Sequence, residues 1–227
     1  PREEKNMLDF TGKVVLITGG GGGIGRATAL AFAKLGAQLV IADRDVDLGN
    51  GTVEELNKIG SQARFVEADV TSSQSVKAYI DACMAAHGRI DCFYNNAGFT
   101  GGFSPMAEYD EDVFDQVMAV NVKGVFLGLK HVIPIMLAQK SGAIVNTASI
   151  AGLTVSMGQT AYVTSKHAVI GLTKMAAMET AAHGVRVNAV CPGPVETRMM
   201  RNLESQISAD HSDHVYEAIK SAMPTGR

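Results

Sequence analysis

Short apolar runs alternate with longer amphipathic segments along this chain. Residues 13–18 form a β-branched run without polar alternation, which is typical of a strand buried on both faces. The next segment places Ile24, Thr28, Ala31 and Leu35 at helical spacing. Further strands are predicted at 39–42, 63–67, 90–94, 143–146 and 185–190, with helices that include 46–59, 111–138 and 160–183. This order predicts an α/β fold with a doubly wound parallel sheet and helices on both faces.

Composition and charge narrow the class of protein. The chain has 227 residues, of which 46% are hydrophobic and 19% are charged, which suits one large domain. A net charge of -3 disfavours nucleic-acid binding. Three cysteines without a paired spacing favour a reducing, cytoplasmic location. The most apolar tract, 125–137, contains Lys130 and is too short to span a bilayer, so we expect no membrane association.

A glycine-rich turn follows the first strand. Residues 19–23 are all glycine, and Gly19, Gly23 and Gly25 have the spacing of a turn that holds a pyrophosphate. Such a run alone would equally suit a flexible loop. Its position between a strand and a helix favours the nucleotide site and a Rossmann-type sheet.

Acidic residues at the ends of the second and third strands bear on the choice of cofactor. Asp43 is placed to bind both ribose hydroxyls of adenosine, and its charge would repel a 2′-phosphate, so NAD is predicted over NADP. Arg44 is the residue that favours NADP. Asp43 also suits the N-cap of the helix from Val46. Asp69 suits either an adenine contact or a turn aspartate, and the sequence leaves both open.

Polar residues also follow the fourth and fifth strands, at the sheet edge where open parallel sheets bind ligands. Residues 95–98 (Asn-Asn-Ala-Gly) end the fourth strand, and Ser149 follows the fifth. The apolar loop 99–103 is a candidate substrate wall. Asn121 stands in an apolar helical stretch, where an unsatisfied amide is costly, so it has either a structural or a functional role.

Tyr162 and Lys166 are separated by one helical turn and therefore share a helix face. A tyrosine has an ordinary pKa of about 10 and is a poor base at neutral pH. Lowering it by about three units takes roughly 4 kcal/mol, and a cation about 4 Å away would supply about that much. The pair alone would more often be a solvated tyrosine beside a lysine. The glycine turn, Asn121 and Ser149 described above favour a functional pair instead. We therefore expect Lys166 to lower the pKa of Tyr162.

With these residues in place, the chain resembles the short-chain dehydrogenase/reductase family from residue 12 to about residue 200. The glycine pattern is that of the single-domain, NAD-dependent oxidoreductase branch. The resemblance rests on Thr18-Gly19-x-x-x-Gly23-x-Gly25, Asn95-Asn96-Ala97-Gly98, Asn121, Ser149, Tyr162-x-x-x-Lys166 and Pro192-Gly193, in the family's order and spacing.

The resemblance implies a role for each matching residue. Tyr162 would be the acid/base, Lys166 would lower its pKa and bind the nicotinamide ribose, Ser149 would hydrogen-bond the substrate oxygen, and Asn121 would hold a water that links Lys166 to solvent. The cofactor-binding residues implied are Gly19, Gly23, Ile24, Gly25, Asp43, Arg44, Asp69, Val70, Asn95, Ala97, Gly98, Tyr162, Lys166, Pro192, Gly193, Val195 and Thr197.

The two ends of the chain carry separate expectations. Residues 1–6 precede Met7 and are interpreted as an expression remnant or a disordered arm, with a single domain over 7–227. Family members usually continue past residue 227 with a further edge strand, so we expect that strand to be missing. Residues 198–223 would form the substrate lid. The acidic and histidine residues at 210–214 could ligate a metal, but a solvated helix face is favoured and no metal is predicted.

The candidate substrate pocket is apolar, which favours a neutral and fairly hydrophobic secondary alcohol or its ketone. Its residues are Phe99, Phe103, Ile150, Leu153, Met157, Val195 and Met199, with Gln159 as the polar handle. The alternatives are a 3-oxoacyl thioester reductase of lipid metabolism and a dinucleotide-binding regulator without catalysis. Apolar and small residues on several faces of the helices 111–138 and 160–183 predict a homotetramer or homodimer.

Overall fold

The computed structural model describes residues 8–207 together with residues 217 and 221. Its strands are β1 (Val14–Thr18), β2 (Gln38–Asp43), β3 (Ala63–Glu67), β4 (Cys92–Asn95), β5 (Gly142–Thr147) and β6 (Val185–Val190). They form one parallel sheet in the order β3-β2-β1-β4-β5-β6. The order reverses direction between β1 and β4, which is the arrangement of a Rossmann-type sheet. The predicted fold class is therefore confirmed.

Helices connect the strands and cover both faces of the sheet. In the described chain they are α1 (Gly23–Lys34), α2 (Val46–Lys58), α3 (Ser73–His87), α4 (Glu111–Met118), α5 (Gly124–Gln139), α6 (Thr160–Thr180) and α7 (Arg198–Ile207). Short 3-10 turns lie at Met106–Glu108, Ile150–Gly152 and Ala181–His183. The predicted arm 1–6 lies outside the described residues, as does most of the predicted lid beyond residue 207.

The long helix predicted over 111–138 is interrupted at its middle. A π-helical turn, Ala119–Lys123, joins α4 to α5, whereas α5 continues through Pro134. The interruption includes Asn121, which bonds to a loop 22 residues away in sequence, a contact that local periodicity does not reveal.

Alternate residues of β1 pack on opposite faces of the sheet. Val14 and Leu16 belong to a buried cluster that includes side chains from α3, α5 and α6. Val15 and Ile17 belong to a second cluster that includes side chains from α1 and α2. All four are at most 1% exposed. The absence of polar alternation in this strand thus reflects burial on both sides.

The helical stretch Glu111–Gln139 is long and apolar enough to cross a membrane by length and composition. In this structure α5 packs against α3 and α6 on one face of the sheet. Such packing is typical of a core helix in an α/β fold. A core helix can also be long and apolar enough to meet the criteria of length and composition.

Candidate active site

The turn between β1 and α1 has a backbone that requires glycine. Gly19 and Gly23 have positive φ angles of 64° and 51°, and a Cβ atom at Gly25 would lie 2.1 Å from the Gly19 carbonyl oxygen. Gly22 is the N-cap of α1 and provides no side-chain hydrogen bond, and the first turn of α1 has no acidic residue. Open space adjoins Gly22. These features fit the pyrophosphate of a dinucleotide at the helix N-terminus.

Asp43 ends β2 and holds the glycine turn. Its Oδ2 atom accepts a 2.8 Å hydrogen bond from the Gly21 N–H, and its Oδ1 atom accepts a 3.0 Å bond from the Asp45 N–H. Asp45 is the N-cap of α2 and accepts from the Leu48 N–H, so the interpretation of Asp43 as that cap is wrong. Arg44 is exposed. The Asp43 carboxylate therefore lies directly against the turn, where it suits an adenosine ribose.

Asp69 stabilises the turn that follows β3. Its Oδ1 atom accepts hydrogen bonds from the Thr71 N–H at 2.9 Å and the Thr71 hydroxyl at 2.8 Å. The cap of α3 is Ser72. The neighbouring Val70 packs against Gly124, where a Cβ atom would lie 2.9 Å from the Val70 Cγ2 atom. The turn role is thus present, and the exposed Asp69 remains a candidate for an adenine contact.

Asn95 is the last residue of β4 and Gly98 lies in the loop that follows, and the two residues have different surroundings. The Asn95 amide donates a 3.0 Å hydrogen bond to the Val125 carbonyl, and the residue is 3% exposed. It therefore anchors α5 from within the protein. A Cβ atom at Gly98 would lie 3.0 Å from the Asn121 Oδ1 atom and 3.5 Å from the Lys166 Nζ atom. Gly98 thus leaves the space between these two groups open.

Asn96 connects β4 to the glycine turn, a role that the sequence did not indicate. Its Nδ2 atom donates to the Thr18 carbonyl at 3.1 Å and the Gly19 carbonyl at 3.2 Å. In return, the Thr18 hydroxyl oxygen accepts from the N–H groups of Asn96 and Ala97 at 2.9 and 3.1 Å. The sequence does show an amide residue directly after β4. Its partners can be identified only once β4 is known to lie beside β1 in the sheet.

Asn121 is fully buried, and its side-chain amide is satisfied by protein atoms. The Oδ1 atom accepts a 3.0 Å bond from the Phe99 N–H, and Nδ2 donates to the Phe99 carbonyl at 2.9 Å and to the Ser165 Oγ atom at 3.0 Å. The π-helical turn therefore joins the loop after β4 to α6. This is the structural role that the sequence left open.

Ser149, Tyr162 and Lys166 come together at the carboxyl edge of β5. The Ser149 side chain lies close enough to the Tyr162 phenol to affect its pKa, and its hydroxyl donates a 3.5 Å hydrogen bond to the Pro192 carbonyl. The Lys166 Nζ atom lies 5.4 Å from the centroid of the Tyr162 ring and donates a 2.8 Å bond to the Thr147 carbonyl. The Ser149 Oγ atom also accepts from the Ala151 N–H at 3.1 Å. The arrangement places a phenol, a hydroxyl and an ammonium group in one cluster.

Burial dominates the electrostatics of this cluster. It raises the pKa of Tyr162 above its usual value, and the nearby Ser149 side chain partly opposes that effect. Burial also lowers the pKa of Lys166 to about 8, with an opposing effect from the charge of Cys191. The prediction that Lys166 lowers the pKa of Tyr162 is therefore wrong for this structure. The physical reason is that burial disfavours the charged phenolate, and the opposing effect comes from Ser149 rather than from Lys166.

Two loops that could border a substrate are joined to each other. The Ser104 N–H donates a 2.9 Å hydrogen bond to the Gly158 carbonyl, and a Cβ atom at Gly158 would lie 2.7 Å from the Phe103 ring. Leu153 and Met157 are 64% and 92% exposed. These two predicted pocket residues therefore do not form a closed wall here.

The remaining predicted pocket residues differ in exposure. Gln159, the predicted polar handle, is 8% exposed. Ile150 is exposed, whereas Phe99 and Met199 are half-buried.

The segment after β6 contacts both the 3-10 turn that follows Ser149 and the glycine turn after β1. The Pro192 carbonyl accepts a 3.0 Å bond from the Ile150 N–H. A Cβ atom at Gly23 would lie 3.2 Å from the Thr197 Cγ2 atom, so this threonine lies against the glycine turn. Arg198 forms a 3.6 Å ion pair with Asp45. Of the other predicted cofactor residues, Gly193 and Val195 are exposed and Ile24 is half-buried.

Among residues 8–207, 217 and 221, no group of three or more His, Cys, Asp or Glu side chains could hold a metal ion. The residues 210–214, which were considered as metal ligands, lie outside the described residues.

Comparison with known proteins gives a consistent picture. Residues 13–208 match the family described as short chain dehydrogenase. The chain is 39% identical to levodione reductase from Leifsonia aquatica over 220 residues, which cover 96% of this chain and 82% of that protein. It is 38% identical to cyclohexanol dehydrogenase from Acinetobacter sp. (strain SE19), covering 88% of this chain and 80% of that one.

Solved structures agree with these matches. The crystal structure of levodione reductase has a TM-score of 0.95 to this chain at 38% identity, covering 96% of this chain and 85% of that one. NAD+-bound xylitol dehydrogenase has a TM-score of 0.90 at 37% identity, with coverage of 96% and 87%. A polyketide ketoreductase with NADPH also has a TM-score of 0.90, at 34% identity, with coverage of 96% and 86%.

Proposed function

Because the chain belongs to the short-chain dehydrogenase family and is therefore an oxidoreductase acting on CH–OH groups, we propose a specific reaction for it. It interconverts a neutral, fairly hydrophobic secondary alcohol and its ketone, with NAD as the cofactor and Tyr162 as the acid/base. The observation that carries this proposal is the cluster of Ser149, Tyr162 and Lys166, in which the Ser149 side chain acts on the phenol and the Lys166 Nζ atom lies 5.4 Å from the centroid of its ring.

Each member of the cluster has one task in this proposal. Tyr162 takes the hydroxyl proton of the alcohol and returns a proton to the ketone oxygen. Ser149 donates a hydrogen bond to the same oxygen and stabilises its developing charge. Lys166 supplies positive charge next to the phenol and contacts the nicotinamide ribose. Burial favours the protonated phenol, the form that donates a proton during ketone reduction. The nicotinamide, when bound, supplies the hydride chemistry.

Asn121 is proposed to hold a water that connects Lys166 to solvent. Its side-chain amide is already bonded to Phe99 and Ser165. Among the described residues, the Oδ1 atom accepts only from the Phe99 N–H, so a water at this residue can donate to the second lone pair of Oδ1.

The dinucleotide is proposed to lie along the carboxyl edge of β1, β2, β4 and β5. Asp43 supports NAD, because its carboxylate lies against the glycine turn and would repel a 2′-phosphate. The exposed Arg44 favours NADP, and similar proteins have been solved with each cofactor. The proposed contacts are the glycine turn with Ile24, then Asp43, Arg44, Asp69, Val70, Asn95, Ala97, Gly98, Tyr162, Lys166, Pro192, Gly193, Val195 and Thr197.

The substrate is proposed to be neutral because no lysine or arginine is among the described residues that are predicted to line the pocket. Phe99, Phe103, Ile150 and Met199 offer apolar contacts, and the name cyclohexanol dehydrogenase of one relative indicates an uncharged cyclic alcohol. A 3-oxoacyl thioester reductase is a weaker candidate, because that role usually requires NADPH. A binding protein without catalysis is also weaker, since the cluster is intact.

Assembly and location are proposed from surface features. Phe126 in α5 is 46% exposed, and Met175 and Met178 in α6 are 60% and 83% exposed, so these helices present apolar side chains to solvent. We propose that they pair in a homodimer or homotetramer. The free cysteines Cys83, Cys92 and Cys191 favour the cytoplasm. Residues 7–227 are proposed to form one domain, with 198–223 as its substrate lid.

A substrate panel tests the proposal. The initial rate of NADH formation is measured with cyclic and aryl alcohols, with charged hydroxy acids, and with NADP in place of NAD. The proposal predicts a higher kcat/KM for neutral alcohols and for NAD. Faster turnover of hydroxy acids would refute the substrate class, and faster turnover with NADP would refute the cofactor. Binding of NAD without turnover of any substrate would favour the non-catalytic alternative.

A further inference from the structure

A buried hydrogen bond joins β5 to α6 within the core, apart from the proposed catalytic cluster. The Asn146 Nδ2 atom donates a 2.9 Å bond to the Thr173 Oγ1 atom, and that hydroxyl donates a 2.7 Å bond to the Val169 carbonyl. Asn146 is 0% exposed and Thr173 is 6% exposed. Because the hydroxyl proton is directed at Val169, the Thr173 oxygen acts as the acceptor for Asn146. The bond therefore ties one strand residue to one helix residue.

The cost of placing an amide at Asn146 argues for a role besides stability. Its Oδ1 atom is enclosed and has no hydrogen-bond partner within the described part of the chain. A buried carbonyl oxygen without a partner destabilises a fold. Ile144 lies two residues earlier on β5, and therefore on the same face, and packs in the core without that cost. What the amide contributes in return is its bond to α6.

This bond is the first of three contacts along which β5 and α6 run in opposite directions. The Thr147 carbonyl, next along β5, accepts a 2.8 Å bond from the Lys166 Nζ atom. Beyond the end of the strand, Ser149 lies close enough to the Tyr162 phenol to affect its pKa. Each step toward the carboxyl end of β5 thus meets a residue nearer the start of α6.

A movement of α6 along β5 would carry the cluster with it. Lys166 and Thr173 lie two helical turns apart, about 10 Å, on one face of α6. A shift at Thr173 is therefore passed on to Lys166 and Tyr162. Ser149 would not follow, because the 3-10 turn that it caps is bonded to the segment after β6. A misplacement of about 1 Å between reacting groups can lower a rate by about 10²-fold.

We propose that Asn146 and Thr173 are positioning residues of the active site, because their hydrogen bond sets the height of α6 along β5 and thereby places Tyr162 against Ser149. The kinetic consequence rests on the proposed function, since the groups that are placed are those of the proposed proton exchange. Asn146 and Thr173 are enclosed in the core and act through α6 rather than on the substrate.

Thr173→Val tests the bond, because it keeps the shape of the side chain and removes the acceptor of the Asn146 amide. We expect kcat for a neutral alcohol to fall by about tenfold. The dissociation constant of NAD, measured by fluorescence, should stay within about threefold of wild type, since most of the proposed contacts to the dinucleotide lie outside α6. Thr173→Ser restores the hydroxyl and should restore kcat. A serine variant as slow as the valine variant would overturn the proposal.

Labelling of Lys166 detects the same displacement without the reaction. Lys166 is 4% exposed, so this residue should resist reductive methylation in the wild-type protein. Thr173→Val should raise the rate of methylation at Lys166, followed by mass spectrometry, by about threefold or more. An unchanged rate would overturn the proposal. A wild-type protein that oxidised no alcohol would refute the proposed function, whereas the labelling would still decide the role of Asn146 and Thr173.

Thr180→Val is the matched control on the same helix. Thr180 is 1% exposed, and its hydroxyl lies 2.8 Å from the Ala176 carbonyl and 3.1 Å from the Val185 carbonyl, so it joins α6 to β6 instead of β5. The control should lower the melting temperature, as Thr173→Val does, but leave kcat and the labelling of Lys166 close to wild type. Equal changes of kcat and labelling in both valine variants would indicate a general loosening of α6 and would overturn the proposal.

Discussion

The Lys166 Nζ atom donates a 2.8 Å hydrogen bond to the main-chain carbonyl of Thr147, the last residue of β5. The Thr147 hydroxyl donates a 3.1 Å bond to the Asn96 Oδ1 atom, and the Asn96 amide donates to the Thr18 and Gly19 carbonyls. One residue thus connects the lysine of the proposed catalytic cluster with the glycine turn. The position of the ammonium group and the shape of the turn are linked through these bonds.

Thr147→Val removes the hydroxyl and keeps the β-branched shape. Loss of the bond to Asn96 should loosen the glycine turn and raise KM for the dinucleotide by about 3- to 10-fold, with a much smaller change in kcat. Steady-state kinetics with varied cofactor measure both constants. Thr147→Ser restores the hydroxyl and should restore KM. If the serine variant were as impaired as the valine variant, the hydrogen bond would not be the cause.

Asp43→Ala should do more than change the choice of cofactor. Both carboxylate oxygens accept backbone hydrogen bonds, from Gly21 and Asp45. Their loss should lower the free energy of unfolding by about 1–3 kcal/mol, besides reducing the preference for NAD over NADP. Urea unfolding measures the stability change. Asp47→Ala, an exposed position in the first turn of α2, is the control. A similar loss in both variants would contradict the account.

Asn121→Ala tests the structural role of the π-helical turn. The substitution leaves the Phe99 N–H and carbonyl and the Ser165 hydroxyl without their present partner. We expect a loss of about 3 kcal/mol or more in the free energy of unfolding. Asn50→Ala, at an exposed position of α2, should cost less than about 0.5 kcal/mol. Equal melting temperatures for the two variants would exclude this role.

The sequence predicted the sheet well because strands buried on both faces have unmistakable apolar runs, as residues 13–18 show. It also brought the glycine turn, Ser149, Tyr162 and Lys166 to one edge, because that edge follows from parallel strand order. The sequence did not predict contacts between residues that lie far apart along the chain. The bonds of Asn96 to the turn and of Asn121 to Phe99 join residues 78, 77 or 22 positions apart.

The sequence also predicted the wrong direction for the pKa shift of Tyr162. Helical spacing correctly placed Lys166 near Tyr162, which indicated a lower pKa for the phenol. Spacing does not report burial, and in the structure desolvation raises the pKa of Tyr162. The N-cap of α2 was missed for a similar reason, because Asp43 and Asp45 both precede the helix and only geometry distinguishes them.

The buried Lys166 should make stability depend on pH. Its pKa falls from 10.5 to about 8 on folding, so the unfolded chain binds more protons between these values. The contribution of Lys166 to the free energy of unfolding should therefore rise by about 3 kcal/mol as pH increases through that interval. Burial raises the pKa of Cys83 to about 12, and this group opposes the rise above pH 9, so the measured quantity is the difference in free energy of unfolding between wild type and each variant. The difference from Lys166→Met should grow with pH, whereas the difference from Lys174→Met, an exposed position on the same helix, should stay constant. A difference from Lys166→Met that does not change with pH would contradict the account.

The central claim is that Tyr162 exchanges the proton with the substrate oxygen. The most direct measurement compares NADH formation by wild type and Tyr162→Phe with a neutral alcohol that wild type oxidises, after NAD binding by both has been checked by fluorescence. The account predicts that kcat falls by about 10²- to 10⁴-fold while NAD binding is retained. A Tyr162→Phe variant with kcat within a few-fold of wild type would contradict it.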